Sequence, residues 1–198
     1  MPARLNLWEQ SKFFREYVLQ PAITGAVAPS SQFLAREMVA GLELELARAV
    51  VELGAGTGSF TRAILPRLSP GCKFVMIELN PKFAEILRQR FPGQRLHQDD
   101  VRNLRAICDR EGISQVDCVI SGLPWASFGA RLQAECLDAM MTALRPAGQF
   151  VTFAYQGAAQ LPRGRRFRKL LRNYFSHIAT GSTVLLNIPP AFVYRCRR

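Results

Sequence analysis

The sequence predicts an α/β fold built on a mostly parallel, seven-stranded sheet flanked by helices. Three observations support this fold class. Short apolar runs rich in β-branched residues alternate with amphipathic stretches, a glycine-rich turn follows the first run, and acidic residues follow the next two. With 198 residues, 48% of them hydrophobic, the chain is long enough for one ordinary core, and we expect a single domain over residues 1–198.

Two helical segments open the chain, over residues 7–19 and 31–42, and Pro29, Ser30 and Ser31 form the start of the second. Strands and helices then alternate, as they do in βαβ units. The predicted strands cover residues 49–53, 74–78, 95–97, 116–121, 149–155, 183–188 and 191–196. The predicted helices between them cover residues 58–68, 81–91, 103–111 and 130–144, the last being ended by residues 145–148.

The turn after the first strand carries three glycines at alternate positions, in the sequence Val-Val-Glu-Leu-Gly-Ala-Gly-Thr-Gly. Gly54, Gly56 and Gly58 allow backbone angles that a Cβ would block and leave bare peptide for a ligand to approach. Spaced glycines also occur in flexible loops, but the strand before them and the helix after them favour a nucleotide-cofactor site. The motif resembles the first motif of class I methyltransferases that use S-adenosylmethionine. In that interpretation Glu52 either holds the turn or binds the methionine amino group, and we favour the second role.

Acidic residues after the next two strands fit the same cofactor. Glu78 follows the glycines by about 20 residues, where a carboxylate can accept hydrogen bonds from both ribose hydroxyls. Asp99 is placed to accept a hydrogen bond from the adenine amino group, although Asp99, and still more Asp100, can instead serve as a turn or helix cap. The residues predicted to bind the cofactor are Glu52, Gly54, Ala55, Gly56, Gly58, Glu78, Leu79, Asp99, Asp100, Val101, Ser121, Gly122 and Leu123.

The fourth strand ends in the sequence Ser-Gly-Leu-Pro-Trp, from Ser121 to Trp125, at the sheet edge where a methyl acceptor meets the donor. Methyltransferases that act on the amino group of adenine typically carry Asn or Asp first, then Pro-Pro or Leu-Pro and an aromatic residue. Ser121 lacks that strong planar acceptor, while Trp125 is a candidate contact for the substrate. A simple turn that closes a strand is the alternative interpretation.

Three segments together carry a resemblance to a known family. Residues 121–124 (Ser-Gly-Leu-Pro), 25–31 (Gly-Ala-Val-Ala-Pro-Ser-Ser) and 187–191 (Asn-Ile-Pro-Pro-Ala) resemble the soluble bacterial phospholipid N-methyltransferases. The resemblance implies a Rossmann-like class I methyltransferase fold, S-adenosylmethionine as cofactor with S-adenosylhomocysteine as product, and transfer of one to three methyl groups to a phospholipid headgroup amine. The expected substrate is phosphatidylethanolamine, methylated towards phosphatidylcholine; ornithine lipids, which relatives of this group methylate, are the alternative.

The formal net charge of +11, from 26 Lys and Arg against 15 Asp and Glu, favours an anionic partner, either nucleic acid or an acidic membrane surface. Residues 163–172 hold six cations and no acid, a departure from the family pattern, and apolar residues at helical spacing accompany them: Phe167, Leu170, Leu171, Tyr174 and Phe175. Residues 7–19 carry a similar aromatic stripe. Such stripes are typical of interfacial helices, of packed core helices and, when basic, of RNA-binding helices.

The lipid resemblance decides among these partners. We expect N-terminal helices over residues 1–45 that cover the active site and face the membrane, and peripheral attachment to a bilayer with anionic lipids. We do not expect a nucleic-acid partner. Because the five cysteines lack metal-ligand spacing and neither a signal peptide nor a membrane-spanning apolar run is recognisable, we expect a cytoplasmic protein associated with the inner membrane, with no bound metal.

Three polar residues complete the predicted substrate site. Ser30 and Ser31 open a helix, where free N–H groups and hydroxyls suit a lipid phosphate, although capping explains one of them equally well. Tyr155, at the end of the fifth strand, is the candidate catalytic residue that orients the amine or relays its proton; ordinary packing is the alternative. With Trp125, these residues form the predicted substrate contacts.

Two other functions fit parts of the sequence. An RNA adenine-N6 methyltransferase would explain the basic charge and would use Trp125 for stacking, but Ser121 opposes it. A catalytically silent protein that binds cofactor and membrane is the third hypothesis, and the intact glycines and acids oppose it.

Overall fold

The computed structural model describes residues 30–198, which contain a seven-stranded sheet flanked by helices, as the sequence predicted. The strand order is β3-β2-β1-β4-β5-β7-β6, and only β7 runs antiparallel to its neighbours. The strands are β1 (Ala49–Leu53), β2 (Lys73–Ile77), β3 (Arg95–His97), β4 (Val116–Ser121), β5 (Leu144–Tyr155), β6 (His177–Thr180) and β7 (Ala191–Arg197).

Helices cover both faces of this sheet, because parallel strands need long crossovers that return over a face. The α-helices are α1 (Gln32–Val39), α2 (Ser59–Ile64), α3 (Pro81–Arg90), α4 (Leu104–Arg110), α5 (Ala130–Ala143), α6 (Gln156–Gln160) and α7 (Pro162–Tyr174). Every residue of β1 is buried, and its side chains alternate between two cores: Val51 and Leu53 face one, Val50 the other. This two-sided burial explains why the central strands lack polar alternation.

Backbone hydrogen bonds bring the predicted motifs to one edge of the sheet. The Gly54 N–H donates to the carbonyl of Ile77, at the end of β2, at 2.8 Å, and the Gly122 N–H donates to the carbonyl of Leu53, at the end of β1, also at 2.8 Å. Since β1, β2 and β4 are parallel, their carboxyl ends lie together. The turns that follow these three strands therefore line one crevice.

The tail differs from the prediction. Residues 183–188 are not a strand; the sixth strand is His177–Thr180, which pairs with β7 in the register Thr180↔Tyr194. Only Val184 forms an isolated bridge, to Ala191. Residues 183–188 were predicted as a strand because they are rich in valine, leucine and isoleucine. In the structure β7 pairs with residues 177–180 instead. The helix predicted over residues 130–144 is present as α5 (Ala130–Ala143), whereas the fifth strand begins at Leu144 rather than at residue 149, with an irregularity over residues 145–148.

The apolar face of the basic helix α7 lies in the core. Phe167, Leu171 and Phe175 are buried, and Leu170 and Tyr174 pack beside them. Of the interpretations that the sequence left open for this stripe, the packed core helix is therefore the correct one, and the interfacial interpretation is wrong. The predicted helix over residues 7–19 lies outside the described residues.

Candidate active site

The glycine turn leaves one position open to a ligand. Gly54, Gly56 and Gly58 have φ values of +67°, +57° and +83°, in the left-handed region that residues with a Cβ rarely adopt. A Cβ on Gly58 would lie 2.2 Å from the ring of Phe91, and one on Gly54 would lie 2.8 Å from Leu123. Nothing lies within 4 Å of a Cβ built on Gly56. Gly54 and Gly58 are therefore required by packing, and Gly56 borders free space.

Glu52 is a buried carboxylate with one unused oxygen. Its Oε2 accepts a hydrogen bond from the Thr61 hydroxyl, on α2, at 2.7 Å, while its Oε1 is buried without a partner among residues 30–198. The pKa of Glu52 is raised to about 8, mainly by burial and also by the nearby charge of Glu78, while the hydrogen bond from Thr61 acts to lower it. An orphaned buried carboxylate oxygen is costly unless a donor completes it. The site therefore suits a ligand ammonium.

Glu78, directly after β2, ties the glycine turn to the start of α3. Its Oε2 accepts from the Gly56 N–H and its Oε1 from the Asn80 N–H, both at 2.8 Å. Burial raises its pKa, and the backbone donors, including that of Leu79, oppose the change. Each carboxylate oxygen keeps a second lone pair for an incoming hydroxyl. The position fits the predicted contact with ribose.

The acids after β3 have separate structural tasks. Asp100 accepts from the Arg102 N–H at 2.9 Å, as a helix cap, and forms an ion pair with the Arg102 guanidinium at 2.7 Å. Asp99 accepts from the Asp100 N–H and from the Asn103 amide, both at 2.7 Å. Asp99 is thus the freer of the two for an adenine, because its second oxygen has only a 3.4 Å contact to Arg110. Val101 begins the 3-10 turn Val101–Asn103 and packs against the core.

The Ser121-Gly122-Leu123 turn closes the crevice against the glycine turn. A Cβ on Gly122 would lie 2.5 Å from the carbonyl oxygen of Gly54, so the two turns touch through backbone. The Ser121 hydroxyl accepts from the Leu123 N–H at 3.3 Å and from the Trp125 indole N–H at 3.1 Å. Ser121 itself is fully buried, so it shapes the turn through these two bonds.

Trp125 does not present a free ring. Its side chain is 2% exposed and stacks on Phe167 of α7, with ring centroids 4.6 Å apart. Two further aromatic rings contact it edge-on, those of Phe128 and Phe150. This burial removes Trp125 from our proposal for the substrate site and gives the indole a packing role.

The two segments that flank the predicted phosphate site are joined directly. The Ser31 N–H donates to the side-chain oxygen of Asn187 at 3.0 Å, and the Asn187 amide donates to the carbonyl of Pro189 at 2.7 Å. The Ser31 hydroxyl caps α1 by accepting from the Leu34 N–H at 3.2 Å. Ser30 is half-buried beside it. Capping therefore accounts for Ser31, and a headgroup contact of Ser30 stays a prediction.

Tyr155 ends β5 at the same sheet edge and pairs with Ala191 of β7. Its ring packs edge-on against Phe153, and its hydroxyl has no hydrogen-bond partner within residues 30–198. Burial raises the pKa of Tyr155, so its phenol is neutral at physiological pH. The hydroxyl can accept or donate one hydrogen bond without carrying charge.

Sequence reasoning missed two residues of this site. Thr61 holds Glu52, and its only signal was a hydroxyl one turn into the helix after the glycines. Asn187 was part of a motif, but its contact with Ser31 spans 156 residues, and no local pattern reveals such a pair.

The described part of the chain contains no group of three or more His, Cys, Asp or Glu residues that could hold a metal ion. His97 instead contacts Glu111 at 2.7 Å. Residues 30–198 also contain no helix long and apolar enough to cross a membrane. All five cysteines are free.

Comparisons with known proteins agree with this geometry. Residues 51–150 match a family model described as a methyltransferase domain. The chain is 35% identical, over 93% of its length and 94% of the relative's, to an ornithine lipid N-methyltransferase from Singulisphaera acidiphila.

Solved structures share the fold. An O-methyltransferase from Bacillus cereus aligns with a TM-score of 0.65 and 13% identity, over 94% of this chain and 90% of that one. A 1,6-didemethyltoxoflavin N1-methyltransferase from Burkholderia thailandensis aligns with a TM-score of 0.63 and 18% identity, over 100% and 93%.

Proposed function

Because the chain belongs to the S-adenosylmethionine-dependent class I methyltransferases, in the family that includes ornithine lipid N-methyltransferase, we propose that it methylates the headgroup amine of an ornithine lipid. The observation that carries this proposal is the 35% identity that extends over 93% of the chain, far beyond the cofactor motifs. It favours the ornithine-lipid alternative over phosphatidylethanolamine, which the sequence alone had placed first.

The carboxyl edge of the sheet holds the donor. The cofactor would lie against the open backbone at Gly56. The unpartnered oxygen of Glu52 would accept a hydrogen bond from the methionine ammonium, and Glu78 would accept hydrogen bonds from the ribose hydroxyls. Asp99 accepts from the adenine amino group. Ala55, Leu79, Val101 and the Ser121-Gly122-Leu123 turn form the remaining walls. S-adenosylmethionine supplies an electrophilic methyl group on a positively charged sulfur.

The acceptor amine must arrive neutral. A primary ammonium has an ordinary pKa near 10.4, so it must lose a proton before its lone pair can attack the methyl carbon. Glu52, Gly56 and Glu78 would hold S-adenosylmethionine, which would supply the methyl group to this lone pair and leave as S-adenosylhomocysteine. Tyr155, a neutral phenol without a partner in the described chain, orients the amine through a hydrogen bond. Positioning supplies most of the remaining acceleration.

The lipid headgroup meets an electropositive surface. Six cations on α7 are exposed, and none forms an ion pair within the described residues: Arg163, Arg165, Arg166, Arg168, Lys169 and Arg172. Since the apolar side of α7 packs into the core, this helix lies on an anionic bilayer without entering it. Each well-placed cation adds about 1 kcal/mol of attraction, which salt screens. Ser30, beside the cap of α1, contacts the headgroup.

Lipid mass spectrometry tests the proposal. Cells that make ornithine lipid and phosphatidylethanolamine would express the chain, with Glu78→Ala as the control that lacks cofactor binding. We expect mass gains of one or more methyl groups on ornithine lipid, dependent on Glu78. Mass gains confined to phosphatidylethanolamine would show that this lipid, and not ornithine lipid, is the substrate. Methylation of RNA alone would overturn the proposal.

A further inference from the structure

A short closed loop projects from the same sheet edge as the cofactor turns. Because β7 is antiparallel to both β5 and β6, β6 runs in the direction of β5, and the connection from β6 to β7 leaves at the carboxyl edge. The bridge between Val184 and Ala191 closes this connection, with N···O distances of 2.7 and 3.4 Å. We call residues 184–191 the edge loop.

The tip of the edge loop exposes aliphatic side chains. The Asn187 N–H donates to the Val184 carbonyl, so Leu185 and Leu186 occupy the centre of a turn, where Gly, Asn, Asp, Ser and Pro are usual. Leu185 is 73% exposed, Leu186 65% and Ile188 83%. Nothing in the fold of residues 30–198 requires large apolar side chains at these positions.

Two of the other three exposed apolar residues lie in segments that are hydrogen-bonded to the edge loop. Within residues 30–198, six large apolar side chains are exposed, and three of them belong to the loop. Phe33 lies two residues from Ser31, which is bonded to Asn187. Leu161 follows α6, whose first N–H, from Gln156, donates to the loop carbonyl of Pro190. Leu46 alone lies elsewhere, before β1 at the opposite edge of the sheet.

The edge loop is also anchored. Asn187 lies between the exposed side chains and is itself 3% exposed. Its side-chain oxygen accepts a hydrogen bond from Ser31, and its side-chain NH2 group donates one to the Pro189 carbonyl. The bridge at Val184 and the bond to Gln156 hold its two ends. Leu185, Leu186 and Ile188 are therefore presented by a fixed backbone rather than left free to collapse onto the protein.

From this arrangement we infer that Leu185, Leu186 and Ile188 enter the hydrocarbon boundary of a lipid bilayer and dock the active-site edge on it. The inference rests on the proposed lipid substrate. Charge complementarity favours a bilayer as the partner of this loop. The loop is bonded to α6, which leads into α7, and the six exposed cations of α7 suit the anionic headgroups that would surround an inserted apolar side chain. The cations of α7 attract the protein to the membrane surface, and the edge loop sets how deeply the protein inserts and how its active site is oriented.

Vesicle partition of the full chain tests this inference. The triple variant L185S/L186S/I188S is compared with wild type and with L46S, a matched control that removes an 80% exposed leucine from the opposite edge. On vesicles of equal parts phosphatidylcholine and phosphatidylglycerol at high salt, we expect the triple variant to bind at least about 100-fold more weakly and L46S to bind like wild type. When ornithine lipid is added to the same vesicles as the methyl acceptor, its methylation should fall in parallel, while calorimetric binding of S-adenosylhomocysteine stays unchanged.

Several outcomes separate the explanations. Equal partition of the triple variant and wild type, or equal loss in L46S, would overturn the inference. A fluorophore on L186C that is already in an apolar environment before vesicles are added would also overturn it, because residues 1–29 or a second copy would then cover the loop. Wild type that binds vesicles through the loop yet fails to methylate detergent-dispersed lipid would refute the proposed function instead.

Discussion

Replacement of Glu52 by glutamine should stabilise the ligand-free protein at alkaline pH and weaken cofactor binding. The variant keeps the shape of the side chain and an oxygen that can accept from Thr61, but it removes the buried charge. The pKa of Glu52 rises from 4.5 to about 8 in the folded protein. Folding therefore favours the protonated carboxyl, and the stability it contributes is complete below pH 4.5 and is lost as the pH rises through 8.

The size of the effect follows from that displacement. Between pH 4.5 and 8, wild type should lose stability relative to Glu52→Gln by about 1.4 kcal/mol per pH unit, roughly 5 kcal/mol in all, as an upper bound. Cofactor affinity should change in the opposite direction. Loss of a buried carboxylate that accepts from an ammonium costs about 1.5–3 kcal/mol, or roughly 10- to 100-fold in affinity.

Urea unfolding from pH 5 to 9 and calorimetry with S-adenosylhomocysteine measure both effects. In wild type, binding at pH 7 should release about one proton, because the carboxyl must ionise to meet the ammonium. Glu85→Gln, which removes an exposed carboxylate from α3, is the matched control and should bind normally. Parallel stability curves for wild type and Glu52→Gln, or equal affinities, would refute the reasoning.

Further substitutions test packing and anchoring. Gly58→Ala places a Cβ 2.2 Å from Phe91 at a left-handed φ, so we expect a loss of about 2–4 kcal/mol in urea unfolding. Asn187→Ala leaves the Ser31 N–H and the Pro189 carbonyl without partners and should lower stability by about 1–3 kcal/mol; an unchanged melting temperature would argue against the anchor. Leu171→Ala should cost about 2–5 kcal/mol in chemical denaturation, because this residue is core, whereas a membrane-facing residue would cost almost nothing.

Local sequence patterns determined much of this fold. β1, β3 and β4 have the predicted bounds, and β1 and β4 were recognisable as short, mostly apolar runs bordered by turn residues or charges. The glycine turn was recognisable because its conformation demands glycine at fixed spacing, and Glu78 because a parallel strand delivers its last residue to the same edge.

Contacts between distant segments could not be predicted. The amphipathic spacing of α7 identified its apolar face, but that face packs on Trp125 and the core rather than on a membrane, and spacing does not distinguish these surroundings. Residues 183–188 have a strand-like composition, but a segment forms a strand only if it pairs with a neighbour. The free side of β7 pairs with His177–Thr180 instead. The bond between Ser31 and Asn187 likewise exists only in the folded chain.

Methyl transfer by the purified full chain tests the central claim most directly. Radiolabelled S-adenosylmethionine would be supplied with detergent-dispersed ornithine lipid, with phosphatidylethanolamine or with total RNA, and the label counted in the chloroform and aqueous phases. We expect label in chloroform with ornithine lipid, abolished by Glu78→Ala. Label found only in RNA, or no transfer to any lipid amine by a chain that binds S-adenosylhomocysteine, would contradict the account.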